Sequence, residues 1–236
     1  MISPELFHFF FGTRAAFRPT DISNLAMWLD GSDSSSITVD GSNNVSQWND
    51  KSGNARHVLQ GNATLRPSYT SSNQINGITV PNFDGTDDTM ATSGSSTISQ
   101  ANTTYVVFRL GASATNPQLF DGSTSRQYVY FPSTTSIQAF ANSTLTPTIT
   151  SVVGTASQVG VLFNGASSTI RLNGAQISSG SLGSSGIGPE IYVGSNKFGA
   201  GLFKGTIAEL LIYSKALSTT ERDNVEAYLK AKWGTP

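Results

Sequence analysis

A single helix-forming stretch closes this chain, and nothing but short β-runs precedes it. Residues 205–233 read GTIAELLIYSKALSTTERDNVEAYLKAKW. From Thr206 to Tyr213 the residues are mostly apolar, with β-branched Ile207 and Ile212 and with Glu209 as the one charge. That is the composition of a largely buried strand. Ser218 is placed as an N-cap, and Glu221 three residues on completes a capping box. Val225, Tyr228, Leu229 and Trp233 fall on one face at helical spacing. Lys230 and Lys232 occupy the last turn, where the helix dipole favours cations, and Gly234 is placed to end it. A helix this short is marginal alone in water. It has to dock on a body already folded, and that body is β-structure.

The rest of the chain supplies the strands. Residues 21–30 read as the first, with Leu25, Met27 and Leu29 on one face and Trp28 on the other. Val45–Trp48 is a short strand before the polar loop NDKSGN. Asn76-Gly77 and Asn173-Gly174 are hairpin turns. Residues 105–110 form a near-continuous apolar run, as in a central strand, and are expected to pair with residues 118–120, 127–131 and 137–141. Residues 159–163, 169–172 and 191–193 continue the meander. Residues 180–188, rich in Gly and Ser, read as a flexible surface loop. Short strands at this spacing, with no helices between them, argue an all-β sandwich.

Three stretches in order carry a family likeness. They are LAMWLDGSDSSSITVDGSNNVSQWNDKSGNARHVLQ (25–60), INGITVPNFDGTDDTM (75–90) and the closing segment to Gly234. Together they resemble LamG-like jelly-roll domains of the concanavalin A-like lectin/glucanase group. Thr89-Met90 departs from the Tyr-Leu usual in such domains. The resemblance implies a two-sheet antiparallel jelly-roll sandwich with one short C-terminal helix, near residues 219–232. It implies a domain over residues 21–236, with residues 1–20 as an added arm. It leaves function open, because this sandwich hosts lectins, glycanases and structural modules.

Composition narrows the classes. The chain has 236 residues, one large β domain's worth, with no cysteine, a net charge of −1 and only 12% charged residues. Without Cys there is no disulfide, thiolate metal site or catalytic thiol. Without a basic run there is no footprint for nucleic acid. No apolar run is long enough to span a membrane. MISPELFHFFFGTRAAF lacks a basic n-region and carries Glu5 and His8, so it is a poor secretory signal. Serine and threonine make up about a quarter of the chain, which suits either an extracellular or particle-bound surface or simply many β-turns.

Candidate chemistry is sparse. Retaining glycoside hydrolysis needs two carboxyl groups about 5–5.5 Å apart. The glutamates are Glu5, Glu190, Glu209, Glu221 and Glu226, and none begins the Glu-x-Asp-x-x-Glu strand usual in glycanases of this fold. There is no Gly-x-Ser-x-Gly elbow, no zinc-spaced His pair and no phosphate loop. No catalytic residue is assigned, and no cofactor is required. Asp84, Asp87 and Asp88 are the candidate metal ligands, for Ca²⁺, since three carboxylates offer hard oxygens. The alternative is a turn in which these side chains hold backbone amides. Candidate glycan contacts are Trp48, Asp50, Asn54, Tyr128 and Tyr130. Tyr128 and Tyr130 share one strand face and Val129 and Phe131 the other.

Phe7, Phe9, Phe10 and Phe11 are a candidate assembly anchor. Burying one phenylalanine stabilises by roughly 1.5–3 kcal/mol. Ordering each residue of the arm costs on the order of 1–2 kcal/mol. The rings alone therefore cannot hold it, and backbone pairing with a partner or with its own sheet must add to them. The expectation is a non-enzymatic structural or accessory protein of a virus particle, on a bacteriophage head or tail and exposed at the virion surface. It would be held to other virion proteins through the arm, be homo-oligomeric and bind surface glycans. The alternatives are a free lectin-type module and, less favoured, a glycan hydrolase.

Overall fold

Alternating apolar residues build strands here, and the computed structural model describes them over residues 16–94, 96–112 and 116–236. In chain order they are β1 Leu25–Asp30, β2 Ile37–Val39, β3 Val45–Trp48, β4 Val58–Leu59, β5 Gln74–Ile75, β6 Ile78–Thr79, β7 Asn82–Asp84, β8 Met90–Thr92 and β9 Asn102–Leu110. Then come β10 Gln118–Gly122, β11 Tyr128–Ser133, β12 Ser136–Phe140, β13 Thr144–Leu145, β14 Ala156–Phe163, β15 Ser168–Leu172, β16 Ala175–Gly180, β17 Ile191–Val193 and β18 Lys204–Tyr213. The helix α1 spans Thr219–Trp233.

The first sheet runs β1-β18-β9-β14-β15-β16, with β7 paired to the start of β18. The second runs β13-β12-β11-β10-β17-β8-β4-β3-β2, and β5-β6 is a separate hairpin. All strand pairs are antiparallel, as in a two-sheet jelly-roll sandwich. One pairing expectation is corrected. β9 lies between β18 and β14, while β10, β11 and β12 stand in the facing sheet. Strand spacing alone does not reveal where a chain crosses between sheets.

Val106, Phe108 and Leu110 of β9 point between the sheets, where they meet Phe120, Val129, Phe131 and Trp48. Tyr105 and Val107 point the other way, into a second core under α1. The molecule is thus layered as helix, first sheet, core, second sheet. Two bulges adjust which side chains enter which layer. In β1 the register slips between Leu25 and Met27, so Ala26 and Met27 both face the main core. Leu25 and Trp28 then share the helix side, which corrects the placing of Leu25 with Met27 and Leu29. In β18 the register slips between Ile207 and Glu209, so Ala208 and Glu209 both turn toward α1. Turning one extra residue to the same side is the local effect of a bulge.

The helix ends behave as the sequence predicts. Ser218 Oγ accepts from the Glu221 amide at 3.3 Å, and the Glu221 carboxylate accepts from the Ser218 amide at 2.9 Å. Gly234 takes the left-handed conformation at φ 65°, and its amide donates to the Lys230 carbonyl. Val225, Leu229 and Trp233 are buried on the first sheet. The Asn-Gly turns at 76–77 and 173–174 both have positive φ at each residue, as a type I′ turn requires.

The 180–188 segment is not a loose surface loop. Leu182 and Ile187 are fully buried, and Ile187 exchanges backbone hydrogen bonds with Ile98. Phe17 packs edge-on against Tyr228, with ring centroids 6.0 Å apart, and Tyr213 Oη donates to the Pro19 carbonyl at 3.1 Å. Phe7, Phe9, Phe10 and Phe11 lie outside the described residues. Among the described residues, no helix is long and apolar enough to cross a membrane.

Candidate functional site

β11 and β12 carry Val129, Phe131, Ile137 and Ala139 into the core, so the intervening residues must face outward. Tyr128 and Tyr130 are therefore on the outer face of the second sheet, half-buried. Tyr128 lies flat on Phe140 of the paired strand, with centroids 4.6 Å apart and planes 7° apart. Tyr130 meets Tyr128 edge-on at 5.7 Å and donates from Oη to Gln138 at 3.3 Å. The three rings make one ladder of apolar surface.

Beside the ladder opens a cleft of about 350 Å³, lined by Asn116, Gln118, Arg126, Tyr128, Tyr130, Asn196, Ala200 and Gly201. Gly201 has φ 61°, and a Cβ there would sit 3.1 Å from the Asn116 carbonyl oxygen and 3.4 Å from Gln118 Oε1, so glycine keeps that wall open. Asn196 Oδ1 accepts the amides of Phe198 and Ala200, which fixes the carboxamide. The Arg126 guanidinium lies 4.8 Å from the Tyr128 centroid and 5.7 Å from that of Phe198. Lys197 Nζ also lies over Phe198, at 4.9 Å. Phe198 is 73% exposed, an unusual position for a phenylalanine, with the cations of Arg126 and Lys197 beside its ring.

Asp121 holds this edge in place. It is fully buried and accepts from Arg126 Nε at 3.1 Å and Nη2 at 2.6 Å, and from the Lys197 amide at 3.1 Å. Burial pushes its carboxyl above the ordinary value, against the pull of Arg126. Sequence reasoning singled out Tyr128 and Tyr130, which the structure places at this cleft, and did not single out Arg126, Asp121, Asn196 and Phe198. The signal for Arg126 was present: it stands two residues before Tyr128, on the same period-2 face. Nothing local points to Asn196 and Phe198, which arrive from the loop after β17.

The other expected glycan residues lie elsewhere. Trp48 is fully buried in the main core, so no sugar can stack on it, and that assignment is withdrawn. Asp50 is buried, and its two oxygens accept from the amides of Trp28, Ser52 and Arg56 and from Ser52 Oγ. Its acceptor capacity is spent on the 49–56 loop. Asn54 is exposed, but Nδ2 donates to the Leu25 carbonyl at 2.9 Å. These three are not brought together with Tyr128 and Tyr130.

The acidic cluster does converge. Asp84, Asp87 and Asp88 each place a carboxylate oxygen within 4.8 Å of the others. Asp84 Oδ1 accepts the amides of Thr86 at 2.7 Å and Asp87 at 3.3 Å, and Asp88 Oδ2 accepts that of Asp84 at 2.8 Å. The turn thus uses part of each end of the cluster. The remaining oxygens are hard donors of the kind calcium takes. Burial is the main reason the Asp88 carboxyl rises to about 6.

With this geometry in view, the chain can be set beside known proteins. The sequence profile Laminin_G_3, described as the concanavalin A-like lectin/glucanases superfamily, matches residues 84–221, more than half of the chain. The chain belongs to this superfamily. No curated protein sequence matches it. Among solved structures, the superfamily fold is shared with domain 4 of AbnA, a GH43 extracellular arabinanase from Geobacillus stearothermophilus solved with arabinotriose. That match has 14% identity and a TM-score of 0.59, over 84% of this chain and 96% of that one. The binding domain of botulinum neurotoxin serotype D matches with 11% identity and a TM-score of 0.63, over 90% of this chain and 55% of that one. A Trypanosoma rangeli sialidase solved with sialic acid matches with 11% identity and a TM-score of 0.58, over 92% of this chain and 34% of that one. This superfamily member therefore spans about half of the neurotoxin domain and a third of the sialidase. At these identities the likeness is one of fold.

Proposed function

We propose that this chain is a non-enzymatic carbohydrate-binding module, and that the Tyr128 cleft is its glycan site. The observation that carries the reading is the aromatic ladder of Phe140, Tyr128 and Tyr130 beside an open cleft lined by carboxamides. A sugar ring offers an apolar face to an aromatic ring, and its hydroxyls find donors and acceptors in Asn116, Gln118 and Asn196. Superfamily membership supports the reading, as does the fold shared with a domain solved with arabinotriose. Absence of turnover is part of the proposal. The cleft's lining holds no carboxylate: Asp121 behind it is taken up by Arg126 and the Lys197 amide, and the cluster of Asp84, Asp87 and Asp88, where Asp84 and Asp88 hold turn amides, is not part of the lining. Calcium is proposed as a rim ligand of those three residues and not as a participant in the cleft.

The proposal extends to setting. The module is displayed at the surface of a virus particle, on a bacteriophage head or tail, as a homo-oligomer. Residues 1–20 are proposed as its arm, whose end at Phe17 and Pro19 docks on the domain, while Phe7, Phe9, Phe10 and Phe11 are proposed to seat on other virion proteins. The expected result of a glycan array, run on the oligomer with and without calcium, is a set of hits lost in Tyr128→Ala and no release of reducing sugar. A blank array sinks the lectin reading, and sugar release abolished by one carboxylate substitution sinks the non-enzymatic one. Deleting residues 1–15 should leave the melting temperature nearly unchanged and abolish assembly. If that deletion unfolds the domain, the arm is an internal element and not an anchor.

A further inference from the structure

We infer that the Tyr128 cleft selects acidic glycans, receiving a sugar carboxylate on the free edge of Arg126. The inference rests on reading the cleft as a glycan site and names the ligand class. Asp121 engages Nε and Nη2 of Arg126 from the buried side. Nη1 is left with no hydrogen-bond partner among the described residues, on a side chain that is 26% exposed and lines the cleft. A guanidinium serving only the fold would have its fork covered. Here one edge is tied down and the other presented.

The edge is also held rigid. The guanidinium lies over Tyr128 and near Phe198, so its plane is fixed before any ligand arrives. Preorganised donors lose less freedom on binding. Lys197 adds a second cation at the rim. Of the three charges at this edge, the two positive ones reach the surface and the single carboxylate, Asp121, is fully buried behind them. The surface field therefore favours an anion. A carboxylate accepts a charge-assisted hydrogen bond from Nη1, stronger than any a neutral hydroxyl accepts. The pyranose ring bearing it then lies against the exposed Phe198, with hydroxyls on Asn116 and Asn196. A uronic acid and a sialic acid share this chemistry.

The test is isothermal titration of the whole chain with matched pairs: oligogalacturonate against its methyl ester, and sialyllactose against its methyl ester. The expected result is at least a tenfold preference for the acid in one pair, shrinking as salt rises. The pair that shows it identifies the source of the carboxylate. The double variant Asp121→Asn/Arg126→Gln keeps a hydrogen-bonded pair without charge, and the preference should vanish in it. Arg126→Lys keeps the charge against Asp121, and with it the fold, but loses the planar fork. It should weaken the acid several-fold more than the ester, narrowing the preference. Equal affinity for acid and ester, both lost in Tyr128→Ala, overturns the acidic selectivity while the glycan site stands. An equal loss of acid and ester binding in Arg126→Lys overturns it as well. Binding of no sugar in either pair overturns the acidic selectivity, and the glycan reading falls with it only if the array is blank as well.

Discussion

Lys232→Met is the substitution expected to damage the domain most for its size, because of what Lys232 neutralises. Glu209, on the bulge of β18, is 1% exposed. Its Oε1 accepts from Trp28 Nε1 at 2.7 Å and Tyr228 Oη at 2.9 Å, and its Oε2 from Trp233 Nε1 at 2.6 Å. Lys232 Nζ sits 2.9 Å from Oε2 and 2.6 Å from Asp30 Oδ1. Met keeps most of the volume and removes the ammonium together with its hydrogen bonds to Asp30 and Tyr228. The indole and phenol donors stay, but a buried carboxylate loses its cation. Breaking a buried pair from one side costs about 3–5 kcal/mol. For a domain this size that is about 6–20 °C in Tm. Burial already raises the Glu209 carboxyl above its ordinary value, although Lys232 opposes the shift. A raised carboxyl holds its proton more tightly folded than unfolded, so lowering the pH favours the folded form. The deficit of the variant should therefore shrink as pH falls and Glu209 takes up a proton. The measurement is urea unfolding at pH 7 and pH 5, with the slope checked for constancy. A deficit under about 1 kcal/mol at pH 7 would put this knot among ordinary surface ion pairs and refute the reasoning.

Three further outcomes are expected. Ser218→Ala should cost about 1 kcal/mol by losing the cap to the Glu221 amide, and an unchanged denaturation midpoint would show that this cap is not engaged. Trp48→Ala should cost about 3–5 kcal/mol while sparing sugar binding, and Tyr128→Ala should do the reverse, which paired melting and binding assays separate. The carboxyls of Asp30 and Asp33 are held below their ordinary values. Burial opposes this at Asp30 but is outweighed by Lys232 and Lys51. At Asp33 the hydrogen bond from Lys51 leads, bringing it to about 2. Their contribution to stability is present above pH 4 and lost as pH falls toward 2. Lys51→Met should flatten that limb of a Tm–pH curve, and an unaltered limb would assign acid unfolding to other groups.

Much of the fold was legible because it is written locally. The capping box of Ser218 and Glu221, the Asn-Gly turns and the alternation of Val129 and Phe131 with Tyr128 and Tyr130 each need only neighbours in sequence. What escaped is set by tertiary contacts. The bulges at Ala26 and Ala208 leave no composition signal, yet they decide that Trp28 and Glu209 meet under the helix. Trp48 and Trp28 look alike in sequence, but one is sealed in the core and the other reaches half-buried toward α1. The candidate site joins β10, β11 and the loop after β17, so no window of the chain contains it. Arg126 was within reach of a period-2 reading, but its meaning came from Asp121 behind it.

The contact of Phe17 with Tyr228 fixes more than the start of the domain. It brings the polypeptide in beside the very helix by which it leaves. Both connections thus lie on the helix-covered side of the first sheet, while the Tyr128 ladder lies on the outer side of the second. Two layer spacings of about 10 Å put roughly 20 Å between them. A body built this way has a back and a front. A partner seated on Phe17 and α1 would lie behind the first sheet and leave the Tyr128 ladder uncovered on the opposite side.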